Sequence, residues 1–189
     1  MNNKFLILSI ILIASISVIL FLRNKFFLKR FPQSYNDMLI TKLNSALADE
    51  WLAHYQYWLG SKVLTGELKK EINEELIQHS NEELKHAGML ADKIIELGGV
   101  PILEPKKWYS ETICGYTTPK NFDGKTILQE NIDGEICAIK VYTELSNFVD
   151  PTLRQAQGER DEKTIKMIQE ILDDEIEHQK DLEELLNKL

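Results

Sequence analysis

The stretch Glu83-Leu84-Lys85-His86 is repeated in plan at Glu175-Ile176-Glu177-His178. In a helix, residues three apart lie on one face, so each Glu-x-x-His aims a carboxylate and an imidazole at the same neighbouring point. A single pair of this kind is common in acidic helices and means little. A second duplicated pattern lies upstream of each copy: Glu50-x-x-Ala53-x-x-x-Tyr57 before the first and Glu135-x-x-Ala138-x-x-x-Tyr142 before the second. The separation from Glu50 to Glu83 is 33 residues and from Glu135 to Glu175 is 40, so the chain reads as two helical hairpins, the second about seven residues longer. Four helices offering Glu, Glu-x-x-His, Glu and Glu-x-x-His form the inward-facing ligand set of a di-iron carboxylate bundle.

Working outward, the apolar spacing predicts four helices. The first runs from about Tyr35 to Leu64, with Ile40, Leu43, Leu47, Leu52 and Leu59 on one stripe. Thr65-Gly66 ends it. The second covers about Glu67 to Leu97 and stops at Gly98-Gly99-Val100-Pro101. A long connection to about Lys125 follows, enough to travel the length of the bundle. The third helix is expected over Thr126 to Phe148 and the fourth from Glu162 to the end. The polar segment 150–161, opening Asp150-Pro151, fits neither periodicity and reads as an inserted loop.

Ahead of the bundle, residues 5–22 are 18 residues without a charge, at the short end of what spans a bilayer. Arg23, Lys25, Lys29 and Arg30 follow at once. Residues 1–30 are therefore expected to be an N-terminal transmembrane helix with its basic flank, and the positive-inside rule would leave residues 31–189 tethered on the cytoplasmic side. A cleaved secretory signal is the alternative.

The net charge is −8, and residues 1–30 hold five Lys/Arg and no acid. Residues 31–189 then carry 17 basic against 30 acidic residues, a balance of −13 that draws cations and repels nucleic acid. Cys114 and Cys137 stand at no metal-ligand spacing; they suggest neither a zinc site nor a disulfide and suit a reducing compartment. Cys137 reads as a small buried hydrophobe.

The expected metal ligands are Glu50, Glu83, His86, Glu135, Glu175 and His178. Four carboxylates balance two ferrous ions, and hard oxygen donors with one imidazole per ion suit iron, with manganese possible. Glu130 rivals Glu135 but lies about 140° round the helix from it, and the repeat selects Glu135. Tyr57, on the face of Glu50, is a core tyrosine or, as a catalytic residue, an electron donor to the metal pair; Tyr142 is its counterpart. His54, four after Glu50, and His79, four before Glu83, read as surface or interhelix residues, with outer ligands as the alternative.

Residues 34–189 resemble bacterioferritin-type members of the ferritin-like superfamily. The resemblance rests on Glu50-Trp51-Leu52-Ala53-His54-Tyr55-Gln56-Tyr57, on Asn81-Glu82-Glu83-Leu84-Lys85-His86-Ala87 with Glu96-Leu97-Gly98-Gly99-Val100-Pro101, and on Leu172-Asp173-Asp174-Glu175-Ile176-Glu177-His178. It implies an all-α four-helix bundle with one long crossover between the second and third helices. It also implies that Glu83 and Glu175 bridge two irons, with Glu50 and His86 at one end and Glu135 and His178 at the other. The implied activity is oxidation of ferrous iron by dioxygen or peroxide for storage or detoxification, in a homo-oligomer. Bacterioferritins hold haem through a Met one residue after the second-helix Glu; that position is Leu84, so no haem of that kind is expected. The other readings of the same residues are a membrane-tethered di-iron peroxidase or hydroxylase, and a non-catalytic bundle with vestigial ligands.

Overall fold

The computed structural model of the chain describes residues 34–150 and 161–189. Its long helices are α1 (Tyr35–Val63), α2 (Lys69–Glu96), α4 (Gly124–Val149) and α5 (Glu162–Leu186); a 3-10 turn, Pro105–Lys107, leads into the one-turn helix α3, Trp108–Glu111. Residues 36–189 form one compact unit.

Local sequence explains where α4 and α5 start and where α2 stops. Asp123 caps α4, its carboxylate accepting from the Thr126 backbone N–H at 2.9 Å, and Asp161 caps α5 by accepting from the Thr164 N–H at 3.1 Å. In both, a Thr three residues inside the helix bonds back to the capping Asp, so α4 begins two residues before the expected Thr126. The α2 terminus turns on Gly98, whose φ of 79° lies in the left-handed region, and the N–H groups of Gly98 and Gly99 return to Ile95 and Ile94. A Cβ on Gly124 would stand 2.8 Å from Ile72 Cδ1, which lets the start of α4 close against α2.

The connection from α2 to α4 crosses the bundle. It leaves beside the start of α1, where Asn44 donates to the Val100 carbonyl, and arrives beside the end of α1, where the Thr65 N–H donates to the Phe122 carbonyl at 2.7 Å. That is roughly 30 Å of helix length. Midway it is pinned to α1: Asp49 accepts from the backbone N–H groups of Ile113 and Cys114, both at 2.9 Å, and from the Thr112 hydroxyl, while Trp108 stacks on Trp51 at 5.1 Å. At the α1–α2 turn a core of Leu64, Ile72, Leu76, Ile127, Leu128 and Leu182 holds all four long helices together.

Two expectations are corrected. The transmembrane helix expected over residues 5–22 falls outside the described residues, and among the described residues no helix is long and apolar enough to cross a membrane. The reason is composition: charged and polar residues interrupt the apolar ones along every long helix, so none carries a sustained apolar run. The membrane-anchored localisation, and the cytoplasmic side read from it, fall with that helix. The fold is an all-α bundle with no membrane-spanning element among those residues. Secondly, Cys114 and Cys137 form a disulfide, closing a stretch of 23 residues and tying the crossover to α4. Partners this far apart in the chain are brought together by the crossover's path, which no local pattern announces.

Candidate metal centre

Glu50 sits on α1, Glu83 and His86 on α2, Glu135 on α4, and Glu175 and His178 on α5. All six are buried, none more than 3 % exposed. They form two groups of four donors. Glu50, Glu83, His86 and Glu175 have ligand atoms within 4.8 Å of one another, as do Glu83, Glu135, Glu175 and His178. Glu83 and Glu175 belong to both groups. Glu130 belongs to neither, lying half-buried on another face of α4.

The arrangement follows a pseudo-twofold relation between the hairpins. Tyr57 on α1 donates its hydroxyl hydrogen bond to Glu135 on α4, and Tyr142 on α4 donates to Glu50 on α1. Each imidazole turns Nδ1 inward. His86 Nδ1 lies 3.3 Å from Glu83 and from Glu175, and His178 Nδ1 lies 3.2 Å from Glu83. Each Nε2 turns outward to a carboxylate of the opposite hairpin: His86 to Asp174 and His178 to Glu82, both at 3.0 Å. Such outer carboxylates fix the tautomer and raise the basicity of the inward nitrogen. Asp174 and Glu82 were not among the expected site residues. Their signal is the acidic residue immediately before each ligand Glu, visible in both Asp174-Glu175 and Glu82-Glu83.

Electrostatics separates the six groups. Burial pushes the Glu50 and Glu135 carboxyls well above the usual range, helped by the neighbouring Glu175 and Glu83. Burial acts the same way on Glu83, but the facing imidazoles of His178 and His86 outweigh it and hold that carboxyl down. Burial disfavours both imidazolium ions, yet contacts with Glu175, Glu50 and Glu83 push His86 up strongly, and contacts with Glu175 and Glu83 push His178 up to about 12. Without metal, then, protons on the imidazoles and the end carboxyls offset the buried negative charge.

The residues fit divalent cations. Glu83 Oε1, Glu175 Oε1 and His178 Nδ1 are buried and have no hydrogen-bond partner, although Nδ1 and Glu83 Oε1 are near each other. Orphaned buried polar atoms of this kind cost about 1–3 kcal/mol each, and a cation between them would satisfy all three. A cavity of about 40 Å³ adjoins the carboxylates, bounded by Glu50, Glu135, Tyr57 and Ala138 from the bundle and by Cys114 and Gly115 from the crossover. It is large enough for a water or a diatomic molecule.

The remaining histidines both lie between helices. His54 ties α1 to α2 through the Ser80 carbonyl at 2.7 Å, an interhelix role. His79 is fully buried, stacked on His178 with ring centroids 4.0 Å apart. Burial and the nearby His178 lower its pKa to about 3. Cys137 is not an isolated hydrophobe, being half of the disulfide.

A bundle whose four long helices converge on two four-donor groups with two shared glutamates defines the di-metal carboxylate class. The chain belongs to the ferritin family: the family's model, described as a ferritin-like domain, matches residues 40–189. A DNA protection during starvation protein from Pyrococcus furiosus is 30 % identical over 152 residues, covering 79 % of this chain and 77 % of the relative. A dodecameric thioferritin, the bacterioferritin-related protein of Bacteroides fragilis, is similar in structure, with a TM-score of 0.74 and 40 % identity over 81 % of this chain and 86 % of that one. An archaeal Dps homologue from Halobacterium salinarum shares the fold, with a TM-score of 0.72 at 20 % identity and 83 % coverage of both chains.

Proposed function

We propose that the protein binds two ferrous ions per chain between Glu50, Glu83, His86, Glu135, Glu175 and His178 and oxidises them to ferric iron for storage or detoxification. The observation that carries this reading is the sharing of Glu83 and Glu175 by both donor groups, an arrangement suited to two cations held as a pair. Oxygen-rich donors with one imidazole each suit iron, and manganese to a similar degree. Carboxylates able to shift between bridging and terminal positions leave room for dioxygen or peroxide, and the cavity beside Glu50 and Glu135 is large enough to admit such an oxidant. Tyr57 acts at this site by holding Glu135, and as a phenol in reach of the pair it is the residue placed to supply an electron.

A homo-oligomer is the working state, by similarity to the dodecameric relative. The relative from Pyrococcus furiosus is named for protection of DNA during starvation. In this chain the charge of −13 over residues 31–189 disfavours direct contact with nucleic acid.

The test is ferrous titration of the metal-free full-length chain in air, with counting of retained iron and sizing of the particle. Tens to hundreds of irons per chain in a large assembly support storage, whereas saturation at about two supports a di-iron enzyme. Glu83→Ala should abolish both ions and Glu135→Ala only one. A wild-type chain that neither binds nor oxidises ferrous iron would remove the proposal.

A further inference from the structure

His79 is a fully buried imidazole outside the six-ligand set, and both of its ring nitrogens lack a hydrogen-bond partner. Glu75 Oε1 lies 3.1 Å from its Nε2 but out of hydrogen-bond alignment. Donor atoms of Glu75, His79 and Asp181 come within 4.8 Å of one another, and Glu75 and Asp181 are partly exposed. We propose that Glu75, His79 and Asp181 form a third divalent-cation site on the flank of the bundle beside His178.

Helical spacing shows how the site is built. On α2, Glu75, His79 and Glu83 follow at intervals of four, and on α5, Asp181 lies three residues after His178. Each inner ligand stripe is thus continued by one turn toward the surface. The two donor sets meet at the His79–His178 stack, with Glu82 also within 4.8 Å of both rings' donor atoms.

The pseudo-twofold relation supplies an internal comparison. A shift of 92 residues takes Glu83 to Glu175 and His86 to His178, and it takes Glu75 and His79 to Met167 and Ile171. Reversed, it takes Asp181 to Met89. At the other end of the bundle the same three places are therefore apolar, and Ile171 is fully buried there. Packing alone is met by Met and Ile. Three ionisable residues in their stead, one of them buried without a partner, raise the cost of folding unless a ligand satisfies them. A carboxylate, a carboxylate and a neutral imidazole are donors for a divalent transition-metal cation, ferrous iron or manganese included. Because two of the three reach solvent, such an ion can arrive from outside before meeting the inner pair.

The proposal stands whether or not the inner pair oxidises iron. To test it, crystals of the metal-free full-length chain are soaked with Co²⁺ without oxygen, and anomalous scattering locates the ions. The expected result is density among Glu75, His79 and Asp181 in addition to the inner pair. Equilibrium dialysis of the E75Q/D181N double variant should then show that ion weakened at least tenfold with inner binding retained. Cobalt at the inner pair alone overturns the third site and leaves the proposed function intact. Cobalt at the outer site alone supports it while the di-iron reading fails. An outer ion whose affinity is unchanged in the double variant overturns the ligand assignment.

Discussion

Tyr57 on the first helix hydrogen-bonds Glu135 on the third long helix, so each hairpin's tyrosine holds the other hairpin's lone carboxylate. The two halves of the metal centre are thereby locked together across the bundle. Both phenols are buried, and burial together with the facing carboxylate pushes their ionisation well up, so they remain donors at neutral pH. Replacing Tyr57 by Phe removes the hydrogen bond that positions Glu135, worth about 0.5–1.5 kcal/mol. We expect ferrous oxidation by the Y57F protein, followed by stopped-flow absorbance, to slow by roughly tenfold or more. An unchanged rate with no tyrosyl radical in the wild-type protein would remove Tyr57 from the chemistry.

Asp174 acts through His86. Its carboxylate receives the outward Nε2 and so holds Nδ1 toward Glu83 and Glu175. Asp174→Asn should weaken cation binding at the Glu50–His86 end by about 10–100-fold while sparing the other end. Glu82→Gln should do the reverse, through His178. Anaerobic titration calorimetry resolves the two; a uniform loss at both ends would contradict the pairing.

Protons and metal ions compete for the same ligand atoms. His178, pushed up to about 12, and His86, also pushed up by its carboxylate neighbours, are cationic at neutral pH, and Glu50 and Glu135 are raised toward their neutral forms. Each ligand must lose its proton to bind a cation, so binding releases protons and tightens as pH rises. Across pH 6 to 8 the apparent affinity should climb, approaching roughly tenfold per pH unit for each proton displaced. Calorimetry in buffers of different ionisation enthalpy counts those protons. Binding that is independent of pH would contradict the assignment.

The Cys114–Cys137 bridge anchors the crossover over the cavity. On the chain-entropy account, closing a loop of this size stabilises by about 3 kcal/mol. A C114S/C137S protein should therefore melt several degrees lower by circular dichroism, and reductant should lower the wild-type protein to match. If neither treatment moves Tm, the contacts of Asp49 with residues 112–114 suffice to hold the crossover.

The duplicated Glu-x-x-His and Glu-x-x-Ala-x-x-x-Tyr patterns determined a great deal by themselves. They gave the four long helices, the six residues that gather at the centre and the choice of Glu135 over Glu130, because helical periodicity converts spacing directly into facing. The ends of helices were legible for a similar local reason, except at Asp123, where the cap lies ahead of the periodic run. Tertiary structure alone decided what crosses between elements. The exchange of tyrosines between halves, Asp174 behind His86 and Glu82 behind His178, the Cys114–Cys137 bridge and the burial of His79 all depend on which helix faces which. The apolar run at residues 5–22 shows the converse limit, for hydropathy over 18 residues suggested a membrane span that no described helix supports. Spacing along one helix is fixed by backbone geometry, whereas contacts between helices are set by how the apolar stripes pack, and only the folded chain shows that.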